Sequence, residues 1–297
     1  MKTRIATLLL ATALLSACEK PYIDEASPLL DEQTSCDEAN VHLYVRSFEI
    51  ISFEEYYSDK TRATTDISKL CSRISYGIFK DDVKVGVFTQ KISDANFGTL
   101  DLKLETGTYK VVVIAHNGNG NATITSPNEI KFANNQVTDT FSACIEIEVE
   151  AGDTNTPIDL KRVVAMFSLT IEDEIPENIK KMHFFYTGGS STLDAETGLG
   201  CVESRQTATI NLQENQNTFN IYTFPHTDED VLKITVNAID VNGLTVEERL
   251  LDGVPVQRNK VTLYSGNFFD GHSGESSTKT ITLQADGEWD GTINGTF

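Results

Sequence analysis

Apolar and polar residues alternate with a period of two over much of this chain. Leu100, Leu102 and Leu104 are interleaved with Asp101, Lys103 and Glu105, and Ile145, Ile147 and Val149 with Glu146, Glu148 and Glu150. Successive side chains of a strand point to opposite faces, so this spacing predicts half-buried strands. Val111 to Ala115, with Tyr109 before it, is a continuous apolar run that suits a central strand covered on both faces. Turn-forming residues separate the runs, as in Asp81-Asp82 between Phe79 and Val83, and Asn117-Gly118-Asn119-Gly120 after His116. A second series follows the polar stretch Glu150 to Pro157. Val163, Ala165, Phe167, Leu169 and Ile171 share one face, while Leu232, Ile234, Val236 and Ala238 alternate with Lys233, Thr235 and Asn237. Asn242-Gly243 predicts a type I′ hairpin turn, which needs positive φ at both residues. No stretch combines helical spacing with capping residues.

Each half holds about seven short strands, so the pattern predicts an all-β protein of two tandem Greek-key β-sandwich domains. The expected boundaries are 41–150 for the first domain, 151–158 for a linker, 159–285 for the second domain and 286–297 for a C-terminal tail. Sandwiches leave edge strands open, and an open edge can accept a strand from another chain.

The N-terminus departs from this pattern. Lys2 and Arg4 precede an apolar run from Ile5 to Leu15, too short for a spanning helix of about 20 residues, and the segment reads as a secretory signal. Leu15-Ser16-Ala17-Cys18 is similar to the lipobox of bacterial lipoproteins. Residues 1–17 are therefore expected to be removed between Ala17 and Cys18, with Cys18 carrying the lipid. Residues 18–40 then form a flexible lipidated spacer, containing Pro21, Pro28 and seven acids from Glu19 to Glu38. Glu19, rather than Asp, after the cysteine favours the outer membrane.

Composition narrows the function. Across 297 residues, 24 Lys and Arg face 44 Asp and Glu, a formal charge of −20. Neutralising phosphates needs cationic side chains, so a nucleic-acid partner is excluded. Loss of residues 1–17 removes Lys2 and Arg4 and no acid, which leaves the body more acidic still. Beyond Cys18, the cysteines Cys36, Cys71, Cys144 and Cys201 have no C-x-x-C spacing, which argues against a zinc or thioredoxin-type site. Three disulfide pairings, or buried free thiols, remain open.

Catalytic patterns are incomplete. Gly271-His272-Ser273-Gly274 is followed by Glu275, which breaks the G-x-S-x-G elbow, and Gly188-Gly189-Ser190-Ser191 lacks the lysine of a phosphate loop. The five histidines form no H-E-x-x-H pair. Asp228-Glu229-Asp230 and the trio Asp286, Glu288 and Asp290 lack an EF-hand pattern, and Trp289 is the single tryptophan. No catalytic residue, metal or cofactor is expected.

Arg162-Val163-Val164-Ala165, Ile175-Pro176, Gly198-Leu199-Gly200 and Tyr222-Thr223-Phe224-Pro225 carry a resemblance that extends through Val254-Pro255-Val256 and the segment Asn259 to Phe269. Together they resemble the C-terminal domain of the fimbrillin-A-associated anchor protein family. The lipobox, the strand Val41 to Ile50 and the paired runs Ile74 to Phe79 and Val83 to Phe88 extend the likeness over the first half. The resemblance implies two transthyretin-like β-sandwiches, a lipid anchor in the outer membrane, and other fimbrial subunits as partners, associated by β-strand complementation. In related pilins an arginine-specific protease frees an N-terminal strand. Here that strand would be Val41 to Ile50 and the candidate processing site Arg62, Arg46 being less suitable because it lies within the strand. A permanent anchor would leave Arg62 uncut, because cleavage there separates Cys18 from the body. A surface glycan-binding lipoprotein is the alternative.

Overall fold

The computed structural model describes residues 39–49, 67–269 and 292–296, and among them the period-two pattern becomes nineteen strands with two short helical turns, Ile67–Leu70 and the 3₁₀ turn Ala133–Asn135. The first half runs β1 (Val41–Glu49), α1 (Ile67–Leu70), β2 (Arg73–Lys80), β3 (Val83–Lys91), β4 (Thr99–Leu102), β5 (Gly107–His116), β6 (Thr123–Ser126), β7 (Glu129–Lys131), β8 (Thr140–Val149) and β9 (Thr154–Arg162). Seven of these strands form one sheet in the order β3-β2-β5-β8-β9-β1-β4. β8 and β9 are paired only at Phe141–Arg162 and Ser142–Lys161. Such a short ladder lets the sheet fold there into two layers. Tyr76, Val111, Val113 and Phe141 from one layer and Leu43, Ile158 and Leu160 from the other fill the first core, each 0 % exposed.

The second half continues with β10 (Ala165–Ile171), β11 (Ile179–Thr187), β12 (Thr192–Asp194), β13 (Leu199–Gly200), β14 (Gln206–Asn211), β15 (Thr218–Thr223), β16 (Glu229–Asp240), β17 (Thr245–Gln257), β18 (Val261–Gly266) and β19 (Thr292–Thr296). Two four-stranded sheets, β15-β10-β18-β19 and β14-β11-β16-β17, enclose a second core built around Phe167, Leu169, Phe184, Phe219, Val236 and Phe268. Each half is thus a β-sandwich.

A further four-stranded sheet, β13-β12-β7-β6, takes two strands from each half. It is joined by antiparallel pairing of Thr192 with Lys131 and Leu193 with Ile130. Behind it lies a third core of Phe79, Ile114, Ile124, Ile130, Phe132, Val163, Leu193, Phe224 and Val261, drawn from both sandwiches. The described residues accordingly form one compact unit.

Several local expectations change. The stretch 151–158, expected as a linker, contains the first half of β9, because Ile158 and Leu160 reach the first core while Asp159 between them faces away from it. Val163 leaves the face that Ala165, Phe167, Leu169 and Ile171 share and enters the third core instead. Thr292–Thr296, assigned to the tail, pairs in parallel with β18. Asp81 and Asp82 both have positive φ, 51° and 60°, as a type I′ turn requires. At Asn242-Gly243 only Gly243 does (φ 81°). There the Asp240 carboxylate accepts the N–H groups of Asn242 (2.8 Å) and Leu244 (2.9 Å), which favours a longer loop closing on Gly243.

Candidate functional site

Ala17, Cys18 and Arg62 lie outside the described residues, as do Cys36, the Gly271–Gly274 loop, Trp289 and the acids Asp286, Glu288 and Asp290. The chain that follows the spacer is described from residue 39. Asn40 is clamped there by four hydrogen bonds. Its N–H donates to Leu102 O (2.9 Å) and its carbonyl accepts from Thr154 N–H (2.8 Å). Its side-chain amide donates to Leu104 O and accepts from Leu104 N–H, both at 2.9 Å. Nothing in the residues marks this role, because an asparagine before a strand looks like any turn residue.

β1 then enters the interior of the sheet. It pairs in parallel with β9 from Val41–Thr154 to Glu49–Lys161, and antiparallel with β4 from Val41–Leu102 to Tyr44–Thr99. Val41, Leu43 and Phe48 are buried in the first core. Arg46 points outward and pairs with Asp159, which also accepts from Ser47. Hydrogen bonds on both edges load β1 in shear if the chain is pulled from its N-terminal side, a geometry in which many bonds must break together.

Several residues that carried the family resemblance, among them Val163, Val164, Phe224 and Val261, converge on the joint between the sandwiches, while Ile175, Val254, Val256, Phe268 and Phe269 belong to the second core. Arg162 is 3 % exposed; its Nε and a terminal N–H donate to the two carboxylate oxygens of Asp139 at 2.8 and 2.9 Å, and its guanidinium lies 4.7 Å from the Phe141 ring centre. Gly200 N–H donates to Pro225 O at 2.8 Å, and a Cβ at Gly200 would stand 2.7 Å from Phe224 O, so no larger residue fits. Phe224 is 0 % exposed and packs on Phe132 of the first sandwich at 5.3 Å between ring centres. Asn259, at a positive φ of 58°, donates its N–H to Val164 O at 2.8 Å. Further along the segment, the Asp173 carboxylate accepts the Phe268 and Phe269 N–H groups at 2.8 and 2.6 Å.

Gly188-Gly189-Ser190-Ser191 belongs to the same joint. The buried Ser190 hydroxyl donates to Thr192 O (2.7 Å), and Thr223 Oγ1 donates to Gln206 Oε1 (2.7 Å). A loop with phosphate-site composition therefore spends its polar groups on itself.

Between the sandwiches opens a cleft of about 800 Å³, lined by Ser142 to Ile145 of β8, Asp159, Lys161 and Arg162 of β9 with Val163 after it, the turn Ala195 to Gly198, Asp228, and Gln257 to Lys260. Cys71, Cys144 and Cys201 are free thiols. Each of the three possible two-disulfide pairings would join two of these three, so none forms. Burial pushes the Cys71 thiol up to about 12, and burial also raises Cys144 in the cleft and Cys201, which makes all three poor nucleophiles at neutral pH. Among the described residues no group of three or more His, Cys, Asp and Glu is placed to hold a metal, and no helix is long and apolar enough to cross a membrane.

Two histidines differ in charge. His116, 1 % exposed, is lowered to about 4 by burial and then by Arg73. Its Nδ1 accepts the Gly118 N–H at 3.0 Å, as a neutral ring can. Burial also pulls His226 down, but the Val202 carbonyl and the Asp230 carboxylate outweigh it and raise the group above 6.5. A proton NMR titration is expected to find His226 half-protonated above pH 6.5 and His116 still neutral at pH 5.5. The His116 contribution to stability is complete above the unfolded value of about 6.5 and is lost as pH falls toward 4; His226 acts oppositely, its contribution fading as pH rises through its folded value.

Residues 33–294 match the sequence model of a protein family described as fimbrillin-A associated anchor proteins Mfa1 and Mfa2. No curated protein matches the chain. Among solved structures, the chain is similar to a candidate adhesin from Bacteroides ovatus, with 15 % identity and a TM-score of 0.47, over 75 % of this chain and 88 % of that one. It is also similar to the fimbrial anchor protein Mfa2 from Porphyromonas gingivalis (10 % identity, TM-score 0.36, 72 % and 83 % covered). A fimbrial assembly protein from Parabacteroides distasonis is a third (13 %, 0.36, 79 % and 91 %).

Proposed function

This chain belongs to the family of fimbrillin-A associated anchor proteins, and from that premise we propose that it is an outer-membrane lipoprotein, held by acyl chains on Cys18, that anchors a fimbria as an uncut accessory subunit. A fimbrial accessory role at the cell surface follows from the family. The lipid, the membrane and the mode of subunit association are the further steps. The observation that carries the reading is the family match over residues 33–294. The Asn40 clamp and the shear-loaded β1 support it, since a tether through residues 18–40 would deliver its load to that point.

Arg62 lies between β1 and α1 in the chain. Cutting there would leave the tether joined to the body only through the hydrogen bonds and packing of β1. We therefore read Arg62 as an uncut loop residue, and the subunit as one that associates with others through strand addition at open edges, without enzymatic activity. The glycan-binding alternative gains no specific support, because among the described residues the cleft lining holds no aromatic ring on which a sugar could stack.

Replacing Cys18 with Ala is expected to shed fibres into the medium, and mass spectrometry of the membrane-bound form is expected to find Cys18, acylated, at its N-terminus. Normal cell-attached fibres from the variant strain would overturn the anchor role. An N-terminus at Ala63 would instead identify a processed, polymerising subunit.

A further inference from the structure

The two sandwiches differ in what they hold out at the ends away from their joint. β9 begins at Thr154, whose N–H donates to Asn40 O, and finishes at Arg162 beside Val163 of the third core. The chain therefore enters the first sandwich at its joint-distal end. β16 begins at Glu229, paired with Gln257 of the cleft lining, and finishes at Asp240. Its hairpin with β17 accordingly closes the joint-distal end of the second sandwich.

That hairpin turn is braced. Asp240 N–H donates to Leu244 O at 2.9 Å, and Asp240 O accepts from Gly243 N–H at 3.1 Å. The Asp240 carboxylate accepts the N–H groups of Leu244 and Asn242 and, at 3.1 Å, the Asn242 side-chain amide. These bonds, that from Leu244 foremost, hold the carboxyl below its usual range, so the brace is charged at neutral pH. Val241 N–H donates to Asn178 O at 3.0 Å, which ties the turn to the loop before β11. On this fixed backbone Val241 and Leu244 are 59 % and 64 % exposed, and Val246, the unpaired residue at the bulge that follows, is exposed as well. Single exposed aliphatic residues are ordinary; three within six positions on a braced turn form a patch.

Charge decides between occupants. The loop tied to the turn carries exposed Glu172, Glu174 and Glu177, and with Asp240 these outnumber Lys180 and Lys181, of which Lys180 turns its Nζ to Glu177 O at 2.8 Å. Residues 270–291 of this chain bring Asp270, Glu275, Asp286, Glu288 and Asp290 against Lys279, and a second copy brings the same acidic end on a chain of net charge −20. Both meet like charge here, whereas a cationic rim meets its complement.

We propose that the Asp240–Thr245 turn is a docking knob: Val241 and Leu244, with Val246 beside them, insert into an apolar recess of another fimbrial subunit whose Lys and Arg side chains border that recess and face Glu174 and Glu177. The braced turn needs little ordering on binding, which favours affinity, and the glutamates favour rate and orientation. The inference rests on the accessory-subunit part of the proposed function and gives it a surface. The contact is made by side chains and is additional to strand addition elsewhere.

The test is co-sedimentation of the mature chain, residues 18–297 carrying Cys18→Ala, with fibres harvested from the cells and medium of a strain lacking this protein. The chain is expected to sediment with the fibres, and less so at high salt. Val241→Ser with Leu244→Ser is expected to weaken binding by about tenfold or more, with the unfolding temperature within about 2 °C of the parent because both side chains are exposed. Glu174→Lys with Glu177→Lys is expected to weaken it by a similar factor and to remove most of the salt dependence. The proposal is overturned if the chain does not sediment with the fibres, or if either pair of substitutions leaves binding unchanged. It is equally overturned if the serine pair dissociates a dimer of the purified chain, the mark of a second copy on the patch, or if it lowers the unfolding temperature by several degrees, the mark of a turn covered by its own chain. Fibre shedding by the Cys18→Ala strain is read independently of all these outcomes, so the anchor role and the docking knob fail separately.

Discussion

Phe224→Ala is expected to lower the unfolding free energy by about 3–5 kcal/mol, and to lower it for both sandwiches together. The ring is 0 % exposed in a core that contains Phe79, Ile114 and Phe132 of the first sandwich and Leu193 and Val261 of the second half. Its neighbours are fixed by sheet pairing at Leu193–Ile130 and by the Ser190–Phe224 bridge, so they cannot collapse into the space left behind. Calorimetry is expected to show one transition for the described body, shifted down by roughly 10 °C in the variant. Two resolved transitions, with only one of them moved, would show that the third core does not join the sandwiches into a cooperative unit.

Asp139→Ala is expected to cost about 3 kcal/mol, because it removes the carboxylate that takes two of the donors of a guanidinium only 3 % exposed. Asp139 is the carboxylate that takes both of the paired Arg162 donors, at 2.8 and 2.9 Å, and Phe141 covers the same group. Arg162 also ends β9 at the short ladder where the first sheet folds over. The double variant Asp139→Leu with Arg162→Met is expected to recover most of the loss, since replacing both members of a buried pair by apolar side chains removes the desolvation cost along with the attraction. Chemical denaturation checks both. A single variant within about 1 kcal/mol of the parent would mean that Arg162 finds water or another acceptor and that the pair does not hold the fold in place.

Much of the sandwich architecture was legible in the residues. Leu100, Leu102 and Leu104 announced β4 and its continuation, and Val111 to Ala115 announced the fully covered centre of β5, because in both cases the side chains facing the core are those that water excludes. Asp81-Asp82 announced its own turn, since few residues accept two consecutive positive φ angles. The joint was not legible as a joint. Gly200 and Phe224 stood out by resemblance, but that Gly200 must be small follows only once Phe224 O is brought against it. The sheet β13-β12-β7-β6 was invisible for the same reason: β12 has three residues and β13 two, too short for any periodicity, and β12 is held as a strand by β7, which is distant in the chain, with β13 pairing locally on its other edge.

The division follows from the range of the forces involved. Alternation, turn chemistry, an N-terminal signal pattern and net charge are properties of neighbouring residues, so the strands of both sandwiches and the acidic surface could be read without coordinates. Which strands share a sheet depends on contacts between distant segments, and those arise only when apolar faces from both halves close over one core. That closure turned a presumed linker into half of β9, gave residues 292–296 a partner in β18, and split β8 from β9 beyond two residue pairs. The cleft is a product of that split, and although Arg162, Gly198 and Asn259 stood out by resemblance, nothing in the sequence showed that they would line a common opening.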